Sequence, residues 1–378
     1  MSDVITATTY LPKAPDDAIP LADVKRVLIV KLRHHGDVLL ASPVLSGLKR
    51  SAPHVEIDAL LYDDTLEMLS LHPALAMLHC VGRSWKTLGT LTRMRTEWNL
   101  LRTLRQRQYD LLILLDDRWR GAWLAHYLGA RWRVAPSVAH RKWRWRKHFS
   151  HLYTHPNNAC RPVVEFNLDA LRRIGIFPPA HERRLLLVPG AEAELEAGNH
   201  LSRLNLPSSG FIHIHPASRW RFKCWPSSAM AELINALQAD GWPVVLTASP
   251  DPAEIEVIKE IESNLQQPAA TLIGCLSLKA LAALTARARL FVGVDSAPMH
   301  IAAAMQTPVV ALFGPSGEQQ WGPWEVAHRI VKSDKHACRP CGLDGCGGSK
   351  RSDCLEALPA SKVLAAAMEL LSPGQEHN

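Results

Sequence analysis

Three short stretches of this sequence set a carboxylate, a hydroxyl or a cation beside residues that let a ligand come close. The first is Lys31-Leu32-Arg33-His34-His35-Gly36-Asp37, where an apolar run ends and a helix begins. Gly36 admits close backbone approach or a positive φ. Asp37 is then either an N-cap or a general base, and a base needs hydrogen-bond reach to a substrate hydroxyl. The second stretch, Ser218-Arg219-Trp220-Arg221-Phe222-Lys223-Cys224-Trp225-Pro226, has three cations just ahead of a helix that Pro226 can start. Positive charge at a helix amino end is unfavourable without an anion, which favours a bound phosphate over a solvated loop. The third stretch is Asp295-Ser296-Ala297-Pro298-Met299-His300, between a buried strand and a short helix. Asp295 and Ser296 offer caps there, the free N–H groups suit phosphate, and His300 lies about one turn on.

Two further clusters carry chemistry of less definite kind. From Arg118 to Val164 there are ten Lys or Arg and no acidic residue. Its core, Arg131 to Phe149, interleaves Trp132, Trp143 and Trp145 with seven of those cations. Basic plus aromatic composition fits a nucleic-acid surface, a membrane interface or a phosphorylated glycan. No nucleic-acid reading motif accompanies it. Cys338, Cys341, Cys346 and Cys354 lie in a Gly-rich loop. Four thiols at such spacing are candidates for a structural zinc, with free thiols or a disulfide as the alternatives.

Parallel strands must present these turns. Lys25–Leu32, Val55–Tyr62 and Tyr109–Leu115 read as buried strands, separated by an apolar helix over Val38–Arg50 and a long basic helix over Thr87–Arg107. The second half repeats the pattern with strands Phe211–His215, Pro243–Ala248, Thr271–Gly274, Leu290–Val294 and Val309–Phe313. Strand–helix alternation predicts two doubly wound α/β domains, and ligands then bind outside the strands' carboxyl ends. The expected units are a loose arm over 1–24, domains over 25–185 and 190–355, and a helix and tail over 356–378 packing back. The net charge of +7 favours an anionic partner. No secretory leader is evident. The uncharged run Ser296–Gly317 is divided by Pro298, Pro308 and Pro315, which excludes a membrane span. The expectation is a cytoplasmic protein with mostly reduced thiols.

With these residues in hand, the chain resembles the ADP-heptose:lipopolysaccharide heptosyltransferases of glycosyltransferase family 9, most like the type adding the side-branch heptose of the inner core. Three blocks carry the resemblance: KLRHHGDVLLASPVL, HIHPASRWRFKCWP and VGVDSAPMHIAAAMQTPVVALFGPS. The segment CRPCGLDGCGGSKRSDCL is similar to a tail block of some members. The resemblance implies a GT-B fold, two Rossmann-like domains with parallel sheets facing a cleft. It implies inverting transfer of heptose from ADP-heptose to the inner-core heptose of lipopolysaccharide, without an obligatory cofactor or metal. Asp37 falls on the proposed base, Lys223 on the cation of the diphosphate, Ser218 on a hydroxyl beside it and Asp295 on the sugar-contacting carboxylate. Ser296, Ala297, Pro298 and Met299 then bind the diphosphate through their backbone, with His300 completing the block and Gly314 closing it. Leu276 is a candidate wall for adenine.

One position departs from the pattern. Several members hold the ribose with a Glu in a Gly-x-Glu turn, where this chain has Ala248-Ser249-Pro250-Asp251. Asp251 or Glu254 is the candidate substitute. Arg141, Lys142, Arg144 and Arg146, with Trp143 and Trp145, are the candidate acceptor surface. They would face a phosphorylated, lipid-anchored core at the inner face of the cytoplasmic membrane, at about 1 kcal/mol per well-placed cation. The competing readings are another nucleotide-sugar enzyme of the same architecture (an epimerase, or a different donor), a nucleic-acid-binding α/β protein, and a silent scaffold.

Overall fold

Twelve short strands, nearly all apolar at their centres, pair in parallel into two sheets of six. The computed structural model describes residues 14–154 and 160–372. The first sheet holds β1 (Arg26–Val30), β2 (Glu56–Tyr62), β3 (Leu75–Val81), β4 (Leu111–Leu114), β5 (Trp132–Ser137) and β6 (His151–Thr154), in the order β3-β2-β1-β4-β5-β6. The second holds β7 (Ile212–His215), β8 (Val244–Ala248), β9 (Ala270–Ile273), β10 (Leu290–Val294), β11 (Val309–Phe313) and β12 (His328–Lys332), in the order β12-β11-β10-β7-β8-β9. Counted from its own first strand, the second sheet repeats the order of the first. Each therefore reverses direction between its first and fourth strands, and that switch point opens a crevice at the carboxyl edge.

Four strands escape a reading by apolar runs, each for a visible reason. β3 is an edge strand, half exposed, and β12, at the other sheet's edge, sets only Ile330 and Val331 between Arg329 and Lys332. β5 carries Arg133 and Pro136 inside the basic stretch, and β6 is only four residues long. The proline is tolerated because the pairing of β5 with β4 ends at Val134, which leaves Pro136 beside β6 alone. The helix expected over Val38–Arg50 is two helices, His35–Leu39 and Ser42–Ser51. Pro43 lacks the N–H and crowds the preceding turn, so the chain breaks at Leu40–Ala41.

The arm expected over 1–24 is corrected from residue 14 onward; residues 1–13 lie outside the described residues. Ile19 and Val24 are buried, and Asp17 pairs with Arg173 at 2.5 Å, so this segment is part of the first half. At the other end, the Ala360–Leu371 helix buries Ala360, Val363, Ala367 and Leu371 against the Ser227–Ala239 helix and β12. The remainder of the tail, 373–378, lies outside the described residues. One apolar cluster runs through the joint between the halves. Leu281, Ala282, Ile301 and Ala303 of the second half pack in it with Val38, Leu39 and Val44 of the first.

Candidate functional site

Both switch points open into a single cavity of about 600 Å³ lined from the two halves. From the first come His34, His35, Gly36 and Asp37, immediately after β1. From the second come Ser218, Arg219 and Lys223 after β7, and Asp295, Ser296, Ala297, Pro298 and His300 after β10. These two turns flank the strand reversal of the second sheet, as Asp37 does that of the first.

Asp37 sits in the first turn of the His35–Leu39 helix; the N-cap position belongs to His34, which makes no side-chain cap bond. The carboxylate is thus not the cap that a bare sequence reading allowed. His35 Nε2 lies 2.8 Å from the Asp64 carbonyl and steadies the loop. Burial and then the Arg83 guanidinium hold His34 below the usual imidazole range. Beneath the turn, Lys31 is buried and donates to the Leu115 carbonyl at 2.8 Å and Asn167 Oδ1 at 3.0 Å. Asn167 in turn donates to the Leu40 carbonyl at 2.9 Å, just past the helix that carries Asp37. Burial lowers the Lys31 pKa, and the carboxylates of Asp37 and Asp116 work against that. Lys31 and Asn167 were not singled out from the sequence; a lysine among apolar strand residues is the one local signal.

Gly36 does have a structural requirement, and it is close approach rather than a positive φ. A Cβ there would lie 2.9 Å from Cδ2 of His300, so the glycine lets the two halves touch. His300 is buried, with Nδ1 unpartnered among the described residues. Desolvation lowers its pKa, with Asp295 and Asp37 pulling the other way. The imidazole is neutral and serves as the joint between the halves.

On the wall from the second half, Lys223 Nζ donates to Asp295 Oδ2 at 2.6 Å, so cation and carboxylate hold each other at the cavity. Ser296 takes the N-cap position of the Ala297–Ala304 helix without a side-chain cap bond. Ser296, Ala297 and Pro298, at that helix's amino end, line the cavity. The three cations of the second stretch separate. Lys223 and Arg219 line the cavity, whereas Arg221 turns away to Glu260 at 2.9 Å. Asp251 caps the Pro252–Glu262 helix, accepting from the Ala253 N–H at 2.8 Å. Glu254 is buried, accepts from the Ser249 N–H at 2.9 Å and lines the cavity with Asp251. Leu276, with Leu272, Leu278 and Leu281, forms an apolar wall. Trp321 also lines the cavity, and nothing in its local sequence marked it. Two expected residues stand elsewhere: Met299 is buried behind the turn, and Gly314 packs on Leu355 while its carbonyl accepts from Arg339.

The basic, Trp-rich stretch divides in the fold. Arg141, Lys142, Trp143 and Arg146, with Ala139 and Lys147, line an open groove of about 620 Å³. Arg144 lies against Trp143, outside that lining. Trp145 corrects the expectation: it is fully buried, its ring 4.5 Å from that of Phe149, and is a core residue of the first half. Trp132 is likewise buried, on β5. A helix of four residues has opposite faces, so one Trp points out and the next-but-one points in. The four C-terminal cysteines are free thiols, and among the described residues no group of three or more His, Cys, Asp or Glu is arranged to hold a metal.

Two doubly wound halves, with a carboxylate on one wall of the cleft and a cation and helix amino end on the other, define a glycosyltransferase of the GT-B class. The glycosyltransferase family 9 (heptosyltransferase) model matches residues 97–347, and the chain belongs to that family. It is 34% identical to lipopolysaccharide heptosyltransferase 3 of Escherichia coli strain K12 over 92% of this chain and 99% of that one. A second Escherichia coli lipopolysaccharide heptosyltransferase 3 is 36% identical over 78% of this chain and 84% of its own length. Among solved structures, a family 9 glycosyltransferase from Veillonella parvula superposes with a TM-score of 0.79 at 22% identity, covering 94% of this chain and 99% of that one. The Escherichia coli heptosyltransferase WaaC with ADP gives 0.71 at 21% identity, covering 91% and 99%. These structural likenesses establish the shared fold.

Proposed function

We propose that this enzyme transfers a heptose from ADP-heptose to an inner-core heptose of lipopolysaccharide, as a side branch and with inversion. One observation carries the reading: the two switch points share one cavity, with Asp37 on one wall and the Lys223–Asp295 pair and a free helix amino end on the other. The residues 25–185 then receive the acceptor and 190–355 the donor. The acceptor hydroxyl oxygen bonds to the anomeric carbon as the bond from that carbon to the diphosphate breaks. Asp37 accepts the hydroxyl proton, and ADP leaves with the electron pair. Lys223 and the helix amino end stabilise the charge that develops on the diphosphate. Asp295 contacts the sugar and, when the donor arrives, shares Lys223 with it. Glu254, already held by the Ser249 N–H, takes the ribose in preference to Asp251, whose carboxylate is engaged as a cap. Leu276 flanks the adenine.

The groove of Arg141, Lys142, Trp143 and Arg146 binds the phosphorylated core of the acceptor, which places the enzyme at the inner face of the cytoplasmic membrane. Among the described residues no helix is long and apolar enough to cross a membrane, so the contact is peripheral. The deciding assay is ADP release from ADP-heptose with a series of truncated core acceptors. Release with an acceptor bearing the unbranched inner-core heptoses is the expected result. Release only without acceptor, or displacement of bound donor by UDP as readily as by ADP, would sink the proposal.

A further inference from the structure

The Thr90–Gln106 helix buries no side chain before Leu104. Its Leu91, Met94 and Trp98 are 84%, 64% and 59% exposed, and their spacing sets them on one stripe. A 17-residue helix gains little from its own backbone in water, so an apolar stripe without a partner calls for one. The Trp119–Leu128 helix widens the stripe. Glu97 pairs with Arg120, and Arg105 lies 5.1 Å over the Tyr127 ring, which sets the two helices side by side. Trp119 and Trp123, one turn apart on that helix, are also exposed.

The charge around this face has one sign. From Arg83 to Arg107 there are seven Lys or Arg against one acidic residue, Glu97, which Arg120 engages; Arg83 pairs with Asp64 and Arg107 with Asp58, which leaves Lys86, Arg93, Arg95, Arg102 and Arg105 to set the sign. Lys86 and Arg93 rim a shallow cavity floored by Met94, Trp98 and Leu101. We infer that this face docks on an anionic bilayer, with the Leu91–Met94–Trp98 stripe at the headgroup–acyl boundary and the flanking cations on lipid phosphates. Tryptophan with basic flanks is the composition such a boundary selects. A second copy would set these cations against one another. A nucleic acid would meet the cations but leave Leu91 and Met94 in water.

Position in the fold supports the same partner. β3 and β4 run parallel to β1, so the segments leaving them start at the edge where β1 delivers Asp37. Leu91, Met94 and Trp98 lie in the first half of one helix, and Trp119 and Trp123 in the first half of the next. The lipid face thus borders the mouth of the cleft and would present a lipid-anchored glycan to Asp37. This assignment rests on the heptose-transfer reading and adds a lipid-facing surface to the groove that takes the phosphorylated core.

The test uses the full chain and the variant L91S/M94S/W98S. Sedimentation is measured with vesicles of phosphatidylglycerol and phosphatidylethanolamine, and with phosphatidylcholine alone. Turnover is measured with deacylated, water-soluble core and with vesicle-embedded acceptor. The wild type should prefer anionic vesicles, and the variant should lose about tenfold or more of that binding. Its turnover on the soluble acceptor should stay unchanged while turnover on the embedded acceptor falls. Equal vesicle binding by the two proteins overturns the inference. So does a wild-type dimer that the variant abolishes in the absence of lipid. If the wild type releases no ADP with either acceptor but still needs the stripe for vesicles, the transfer reading fails and the docking surface stands.

Discussion

Inside the first half, Lys31, Asp58 and Asp116 are buried among ionic and hydrogen-bonded partners; inside the second, burial holds His213, His215 and His300 below the usual imidazole range. Asp58 accepts from Arg107 at 2.7 Å and from the Tyr109 hydroxyl at 2.7 Å. Burial alone would raise its pKa, but hydrogen bonds from His79, Arg107 and Tyr109 outweigh that and hold it down to about 2. In the second half, the Thr247 hydroxyl lies 2.8 Å from His213 and 2.9 Å from His215, and burial pushes the two down to about 3 and about 4. Two halves with one strand order thus differ in what their cores tolerate. The first half keeps a lysine and carboxylates inside its core, and the second keeps its cavity-lining cations, Lys223 and Arg219, at the surface.

The largest effect that this contrast predicts falls on Asp37. Asp37→Ala should lower kcat by about 10³-fold and leave ADP affinity within about twofold, because the base belongs to one half and the nucleotide to the other. Calorimetric loss of ADP binding in that variant would break the division of labour. Acid should next separate the halves. A histidine kept neutral in the fold stabilises above its unfolded pKa, near 6.5, and that stability is lost as pH falls toward its folded value. Three such histidines in the second half, against His72 in the first, put its main loss between pH 6.5 and about 3, on the order of a few kcal/mol. Asp58 stabilises above 3.8, and its contribution is lost only as pH falls from there to about 2. Hydrogen exchange at pH 5 should therefore show the second sheet losing protection first; earlier loss in the first sheet contradicts the scheme.

Smaller effects sharpen the picture within each half. Lys31→Met leaves the Leu115 carbonyl and Asn167 Oδ1 without their donor, and should cost about 1–3 kcal/mol in chemical denaturation. Unchanged stability would mean that Lys31 is not a strut under the Asp37 turn. Replacing Arg141, Lys142 and Arg146 by Ser should raise the acceptor KM by roughly tenfold and leave the donor KM alone, given about 1 kcal/mol per cation partly offset by solvation. Glu254→Gln should weaken ADP binding by several-fold at most, about 1 kcal/mol, and more than Asp251→Asn. The reverse ranking returns the ribose contact to Asp251.

Legibility followed the same divide. In the second half, the site was written in contiguous residues, because one strand–turn–helix unit places Asp295, Ser296, Pro298 and His300 together. Lys223 could be added from a local oddity, a cation ahead of a helix start. In the first half, composition marked a surface but could not say which side chains reach it. Trp143 and Trp145 look alike in sequence, and only the packing against Phe149 sends one inward.

What the sequence determined by itself was the local grammar: apolar runs that must be buried in parallel strands, and polar turns at their carboxyl ends. Those follow from hydrophobicity and backbone geometry over a few residues. Tertiary structure decided everything that needs two distant segments at once. It joined Lys223 to Asp295 across 72 residues, and held Lys31 on Asn167 across 136. It set His300 against Gly36, closing a cleft between halves that no local pattern encodes. It also left the Leu91–Trp98 stripe uncovered, because a helix buries only the face its neighbours reach.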